Sequence, residues 1–167
     1  MSSSDYTWRT AEPEDAPAVA AAIDDWWSHA HMVHGVCPQL FQHMGDTCLI
    51  VEDGGEMVAF LVGFMSQRLP ACGYVHYTGV RPDLRGRGIG REMYRRFAEM
   101  TRARGRTEIF AEVGTWNVDS IAFHKSFGFV LLPGDDVVDG TPVFYDSGSR
   151  GVDYIEMVWR LDAGGAA

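Results

Sequence analysis

The sequence predicts an α+β protein that folds as one domain. Its 167 residues are 46% hydrophobic, which suits one full core and is too apolar for a chain that is mainly disordered. Segments with strand-like alternation and segments with helical periodicity are interleaved along the chain. No internal repeat or linker divides them, so residues 1–167 are expected to form a single domain, with residues 163–167 as a disordered tail.

The first half of the chain is predicted to contain four strands and two helices. Pro13 occupies a position that a helix start tolerates, and the alanine-rich stretch after it is apolar on one side. Asp53-Gly54-Gly55 separates two apolar runs and therefore predicts a β-hairpin. The predicted strands are residues 6–10, 47–51, 57–66 and 74–80, and the predicted helices are residues 16–27 and 39–43.

The second half begins with a glycine- and arginine-rich loop over residues 81–90. Apolar residues then recur at helical spacing from Ile89 onward, with arginines on the other face. Gly105 is expected to end that helix, and Gly128 the next one. The predicted helices are residues 89–104 and 117–127, the predicted strands are residues 107–113, 129–132 and 152–161, and residues 133–150 are expected to form a long loop.

The charge of the chain is unevenly distributed. The whole chain carries a formal charge of −9, yet the 26 residues from Arg81 to Arg106 contain nine arginines and only three acidic residues. An acidic surface repels nucleic acid phosphates and anionic lipid, which argues against both as general partners. The basic segment instead predicts a local site for one anionic ligand.

Composition also argues against several other classes of protein. No apolar run reaches about 18 residues, so no membrane span is expected, and the N-terminus has neither the basic start nor the apolar stretch of a signal peptide. The three cysteines include no C-x-x-C pair, which argues against a disulfide scaffold or a zinc ribbon. A cytoplasmic location is therefore expected.

A strand, a glycine-rich loop and a helix follow one another in the basic segment, and this arrangement is suited to phosphate binding because a helix start offers free N–H donors. The loop is not a Walker A loop, since it lacks Gly-Lys-Ser/Thr. Gly86, Gly88 and Gly90 give G-x-G-x-G rather than the dinucleotide fingerprint. A helix dipole contributes only ~0.3–1 kcal/mol per exposed anionic group, so the arginines must supply much of the attraction.

Two motifs in this half of the chain indicate a family. The first is Arg85-Gly86-Arg87-Gly88-Ile89-Gly90, which reads R-x-x-G-x-G, and the second is NVDSIAFHKSFGF over residues 117–129. In this order and spacing they resemble the R/Q-x-x-G-x-G/A and N-x-x-S/A-x-x-x-Y/H-x-x-x-G-F motifs of the GNAT superfamily of acyl-CoA-dependent N-acyltransferases. The resemblance implies a GNAT-like fold, with a mixed, mostly antiparallel central sheet flanked by helices, and acetyl-CoA as cofactor.

The resemblance also implies which residues bind that cofactor. The backbone near the end of the strand before the loop would pair with the pantetheine arm, the loop would bind the pyrophosphate, and the second motif would contact the arm and the nucleotide end. The later arginines, from Arg95 to Arg106, are expected to be solvated helix surface. The implied cofactor-binding residues are Thr78, Gly79, Val80, Arg85, Gly86, Arg87, Gly88, Ile89, Gly90, Arg91, Asn117, Ser120, Phe123 and Lys125.

Acyl transfer to an amine needs a base, because an amine with a pKa near ~10.4 is mostly protonated at pH 7. Members of the superfamily usually draw that base from the strand before the loop. His76 is the only residue of that strand that titrates near neutrality, so it is the candidate base; a histidine packed between Tyr74 and Tyr77 is the alternative. In many members a tyrosine of the second motif is the general acid, and His124 stands at that position here. Its imidazolium is the candidate acid that protonates the leaving thiolate, with water as the alternative.

Candidate substrate-binding residues lie at the end of the first predicted helix and on the late loop. Asp24, Asp25 and Trp27 combine carboxylates with an indole ring, which suits a cationic amine; a solvated helix end beside a core tryptophan is the alternative. Asp135 on the late loop is a further candidate for binding a cationic amine, and a solvated surface carboxylate is the alternative. No metal site is predicted, because no Cys or carboxylate cluster accompanies the neighbouring histidines, which are His29, His31 and His34.

The sequence therefore predicts an acetyl-CoA-dependent N-acetyltransferase that acylates the primary amine of a small molecule. One alternative is an enzyme for protein or peptide amines, which an open cleft would favour and a lid formed by residues 133–150 would disfavour. The other alternative is a non-catalytic acyl-CoA-binding module. Dimers are frequent in the superfamily, so a homodimer is one arrangement that the resemblance allows.

Overall fold

The computed structural model describes residues 6–27, 36–145 and 153–161. By internal contacts the chain divides into two compact units, residues 1–64 with 76–100 and residues 65–75 with 101–167. The boundaries between the units fall within two strands and one helix. Among the described residues, the strands are β1 (Thr7–Thr10), β2 (Leu49–Asp53), β3 (Glu56–Met65), β4 (Cys72–Val80), β5 (Glu108–Gly114), β6 (Val130–Leu131), β7 (Asp136–Val138), β8 (Thr141–Val143) and β9 (Tyr154–Arg160), and the helices are α1 (Ala16–Trp26), α2 (Pro38–Met44), α3 (Ile89–Ala103) and α4 (Val118–Ser126).

Seven strands form one sheet in the order β1-β2-β3-β4-β5-β9-β6, and β7 pairs with β8 alone. β4 and β5 run parallel, whereas the pairs β1–β2, β2–β3, β5–β9 and β6–β9 are antiparallel. The predicted fold class, a mixed and mostly antiparallel sheet flanked by helices, is confirmed.

The core of the first unit lies where α1 meets the sheet. Ile23 of α1 is fully buried, and the Trp26 ring stacks on the Phe60 ring with centroids 5.7 Å apart. A Cβ added at Gly79 would lie 2.7 Å from Phe60 ring atoms and 3.3 Å from the Trp26 ring. Glycine at position 79 therefore lets the end of α1 pack close to β4.

Helix α3 has one apolar and one charged face within the first unit. Met93 and Phe97 are fully buried, as the predicted periodicity requires. Arg95, half of whose side chain is exposed, pairs with Glu92 at 2.7 Å, as expected for solvated helix surface. The guanidinium of Arg96 lies 4.4 Å above the Trp8 ring, so this arginine also covers apolar surface.

Arg106, in the second unit, departs from the prediction that it would be solvated helix surface. Its side chain is partly buried and donates a hydrogen bond to the Pro70 carbonyl oxygen. Its Nε is buried without a hydrogen-bond partner within the described residues. Arg106 therefore braces the segment before β4 rather than facing solvent.

The predicted long loop over residues 133–150 is partly wrong, because it contains the β7–β8 hairpin. Asp139 and Gly140 connect the two strands and have φ values of 49° and 77°. Two successive positive φ values define the type I′ hairpin turn, for which Asp-Gly is a preferred sequence. The Asp-Gly pair flanked by β-branched residues was the available signal.

No described helix is both long enough and apolar enough to cross a bilayer. Three cysteines are free thiols, and burial raises the pKa of the Cys48 thiol to about 11. That thiol is therefore unreactive at neutral pH.

Candidate functional site

The loop between β4 and α3 has a backbone that is open to a ligand. A 3₁₀ turn over Pro82–Leu84 is followed by Gly86 and Gly88, which have φ values of 77° and 87°. A Cβ at either glycine would meet nothing within 4 Å. Glycine is therefore needed for the backbone conformation, and the space beside it can admit an anion.

Helix α3 begins immediately after Gly88, whose carbonyl oxygen accepts from the Glu92 N–H at 3.0 Å. The first turn of any α-helix presents N–H groups that the helix itself does not use, with a partial positive charge. Arg85, Arg87 and Arg91 are exposed around this helix start. The loop and helix start together can bind a polyanion such as a pyrophosphate.

Arg85 also makes contacts that the sequence does not predict. Its Nη2 donates to the Trp26 carbonyl oxygen at 2.8 Å, and its Nε donates to the Val80 carbonyl oxygen at 3.2 Å. A guanidinium has five N–H donors, so these two bonds do not exhaust it. Arg85 therefore braces the loop from within.

The second half of β4 carries the predicted base. The pairing of β4 with β5 runs from Cys72 opposite Glu108 to Val75 opposite Ala111, and β4 then continues to Val80. His76 is the first residue of that continuation; it is partly exposed, and its ring centroid lies 3.8 Å from that of Tyr77.

The three residues predicted to pair with the pantetheine arm, Thr78, Gly79 and Val80, lie on the same continuation of β4. Thr78 donates its hydroxyl hydrogen to the Phe60 carbonyl oxygen at 3.3 Å. Gly79 is buried against the Trp26 and Phe60 rings. The Thr78 hydroxyl and the Gly79 Cα are thus used within the fold. The backbone N–H and C=O groups of this segment are the groups that could bind a ligand.

The second motif spans the whole of α4 in the second unit, from its N-cap residue to Phe129 beyond its end. Asn117 is the N-cap residue, and its Oδ1 accepts from the Ser120 N–H at 3.1 Å. An asparagine cap of this kind fixes where a helix begins. Phe123 is partly buried and contacts the His124 ring edge-on, with centroids 5.7 Å apart.

His124 is buried, with 3% of its surface exposed. Its Nδ1 lies 2.7 Å from the Ser120 carbonyl oxygen and therefore carries the hydrogen. Burial lowers the pKa of His124 more than this hydrogen bond raises it. The structure thus favours a neutral, helix-bracing imidazole, which disfavours the predicted imidazolium acid.

Lys125 lines a cleft of about 500 Å³ between α4 and the β7–β8 hairpin. Val118 and Val138 supply apolar walls, and Asp139 and Asp153 supply carboxylates. Val118 is 68% exposed, which is unusual for a valine and marks this helix face as accessible.

A group of carboxylates that the sequence does not predict comes together in the second unit. Glu112 of β5 lies directly opposite Glu156 of β9. Burial, followed by the charges of Glu112 and Asp135, raises the pKa of Glu156. The sequence does not reveal that these two glutamates are neighbours, because their pairing depends on the register of the two strands. Asp135, a predicted substrate residue, thus belongs to an acidic cluster.

Glu156→Gln is expected to raise the melting temperature at pH 7.5 by about 1–3 °C, a typical response to a fraction of a kcal/mol in a chain of this size. A carboxyl whose pKa is raised by folding stabilises the fold only while it is protonated, and that contribution is lost as the pH rises through its folded-state pKa. The gain should therefore vanish below about pH 4, where glutamate is protonated in both states. Thermal unfolding at the two pH values measures this. The exposed Glu14→Gln serves as control, and an unchanged or lower melting temperature at pH 7.5 would contradict the expectation.

The predicted substrate residues of α1 lie at its exposed C-terminal end. Asp24 and Asp25 are exposed, whereas Trp27 is partly buried and meets the Tyr77 ring edge-on with centroids 5.9 Å apart. Within the described ranges, no group of three or more His, Cys, Asp or Glu side chains could hold a metal ion. The predicted non-ligands His29, His31 and His34 lie outside the described residues.

The mixed sheet has one parallel central pair, and its fourth strand leads through a glycine-rich loop into a long helix. This is the arrangement expected of an acyl-CoA-dependent acyltransferase. The chain belongs to the acetyltransferase (GNAT) family, whose model matches residues 6–129. The resemblance inferred from the two motifs is confirmed.

A curated relative matches part of the chain. The chain is 29% identical over 58 residues to the L-2,4-diaminobutyric acid acetyltransferase of Shouchella clausii, a match that covers 35% of this chain and 33% of the relative. The chain therefore matches only about a third of that relative's length.

Solved structures share the fold over nearly the whole chain. Ard1 from Thermoplasma volcanium has a TM-score of 0.77 at 20% identity and covers 95% of this chain and 99% of its own. The ribosomal-protein-S18-alanine N-acetyltransferase of Escherichia coli has a TM-score of 0.70 at 19% identity, with 96% of each chain covered. The yncA protein of Salmonella typhimurium, solved with its cofactor acetyl-CoA, has a TM-score of 0.68 at 20% identity, with 97% of each chain covered.

Proposed function

We propose that the protein is an acetyl-CoA-dependent N-acetyltransferase that acts on a primary amine of a small molecule. One observation carries the proposal. Gly86 and Gly88 hold an open, positive-φ backbone at the start of α3, surrounded by exposed arginines. That site fits the pyrophosphate of CoA in charge and in accessible space, and the membership of the GNAT family gives the anion its identity.

The residues that would hold the cofactor lie on three elements. The backbone of Thr78, Gly79 and Val80 would pair with the pantetheine arm, and the segment from Arg85 to Arg91, with Gly90 and Ile89 in its helix start, would bind the pyrophosphate. On α4, the residues assigned to the arm and the nucleotide end are Asn117, Ser120, Phe123 and Lys125.

Acetyl-CoA, when bound, supplies a thioester whose C–S bond breaks as the amine nitrogen forms its bond to the carbonyl carbon. His76 is assigned as the base, because an imidazole nitrogen can accept the amine proton near neutral pH. A backbone N–H near Gly79 or Val80 would donate to the developing negative oxygen. Water rather than His124 is assigned as the acid, since the His124 imidazole is buried with a lowered pKa.

Negative charge supports an amine as acceptor. Asp24 and Asp25 are exposed at the end of α1, and Asp135 belongs to the carboxylate cluster of the second unit. The relative from Shouchella clausii acts on a diamino acid, which is a small cationic amine. These carboxylates are assigned to attract the ammonium form of the amine substrate before its proton is lost. We also propose that the chain forms a single acetyltransferase domain and that the protein acts in the cytoplasm.

Release of CoA thiol tests the function. The full chain is incubated with acetyl-CoA and a panel of small diamines, diamino acids and polyamines, with peptides bearing free N-termini as a second panel. We expect thiol release and one added acetyl group on a small amine, detected by mass spectrometry. Faster turnover of peptides would favour the protein-directed alternative, and CoA binding without any turnover would favour the binding module.

A further inference from the structure

One side chain ties the end of α1 to the loop that is proposed to bind the cofactor. Arg85 Nη2 donates to the carbonyl oxygen of Trp26, the last residue of α1, at 2.8 Å, across 59 positions of sequence. The last carbonyl groups of a helix have no partner within the helix, and a cation there also complements the helix dipole. Arg85 thus supplies a cap for α1 from a distant loop.

The same guanidinium is anchored at the end of β4. Its Nε donates to the Val80 carbonyl oxygen at 3.2 Å, so two nitrogens of one planar group join the strand end and the helix end. A lysine ammonium on a flexible stem could not hold both carbonyls in this fixed geometry. The two bonds therefore specify arginine rather than positive charge alone.

Ring contacts hold the same helix end against β4. The Trp26 ring stacks on Phe60 and lies beside Gly79, and the Trp27 ring meets Tyr77 edge-on at 5.9 Å. Side chains packed this tightly move together. A change in the loop can therefore reach the end of α1 through Arg85 and the rings beside it.

We propose that Arg85 is a positioning residue that couples the cofactor loop to the end of α1, and through it sets the amine-binding carboxylates Asp24 and Asp25. The coupling contact is independent of the reaction, whereas its consequence for amine binding rests on the proposed function. Because coupling between two sites is reciprocal, a bound cofactor would in turn strengthen amine binding.

Steady-state kinetics separate positioning from direct phosphate binding. At saturating acetyl-CoA, Arg85→Ala is expected to raise the KM for the amine roughly tenfold, the effect of losing one charge-assisted hydrogen bond, with a smaller change in kcat. Arg87→Ala is the matched control, since it removes the same charge two positions away in the same loop. It should raise the KM for acetyl-CoA and leave the KM for the amine unchanged.

Hydrogen–deuterium exchange of the ligand-free protein provides a readout besides activity. Amides in the last turn of α1 should exchange faster in Arg85→Ala and in Arg85→Lys, and at the wild-type rate in Arg87→Ala. The lysine variant keeps the charge, so it also covers the case in which the alanine variant folds poorly.

Two results would overturn the coupling: wild-type exchange in the last turn of α1 in both Arg85 variants, or an unchanged amine KM with an acetyl-CoA KM raised as in Arg87→Ala. A wild-type protein that turned over no amine would refute the proposed function, and the exchange measurement would still decide whether Arg85 holds α1.

Discussion

Gly88→Val is expected to weaken acetyl-CoA binding by roughly 10- to 100-fold, which corresponds to a loss of about 1.4–2.8 kcal/mol. Gly88 has a φ of 87°, and a residue with a branched Cβ strains this conformation. The added side chain would meet no protein atoms within 4 Å of its Cβ, so it would occupy the space assigned to the pyrophosphate. Isothermal titration with CoA measures the effect.

Gly105→Val is the matched control for this variant. Gly105 follows the end of α3, has a φ of 71° and likewise has nothing within 4 Å of an added Cβ. Both variants should lose similar stability, because both strain the same type of backbone conformation. Only Gly88→Val should lose CoA affinity, and an equal loss in the two variants would contradict the assignment of the anion site.

His76→Ala is expected to lower kcat by about 10²–10⁴-fold, the usual contribution of a general base, with little change in the KM for acetyl-CoA. The amine must lose a proton to attack, and His76 lies on the continuation of β4 beyond its pairing with β5. The acidic limb of the wild-type pH–rate profile should also disappear, because a protonated base cannot accept the amine proton. Initial rates from pH 5 to 9 measure both effects.

His43→Ala provides the comparison, because His43 is an exposed histidine of α2 outside the proposed site. This variant should keep the wild-type kcat and pH profile. Retention of kcat in His76→Ala within about twofold of wild type would assign the base elsewhere and leave His76 as a packing residue beside Tyr77.

Much of the fold could be predicted from local patterns. The strand before the basic loop, the apolar face of α3 and the hairpin turn at Asp53-Gly54-Gly55 each follow from periodicity or turn chemistry. Gly54 and Gly55 indeed have φ values of 59° and 86°. The second hairpin has an equally clear Asp-Gly turn signal, but its two strands are only three residues long, too short to show strand periodicity.

The sequence by itself determined the family and the position of the glycine- and arginine-rich loop proposed to bind the cofactor, because both depend on residues adjacent in the chain. Glycines that need positive φ and arginines that supply charge act within one short segment, so their spacing carries the information. The tertiary structure decided three other matters: Arg85 caps α1, His124 is buried and favoured neutral, and Glu112 faces Glu156 across two strands. Each depends on burial or on contacts between residues distant in sequence, and side-chain pKa values and hydrogen-bond partners are set by that surrounding structure.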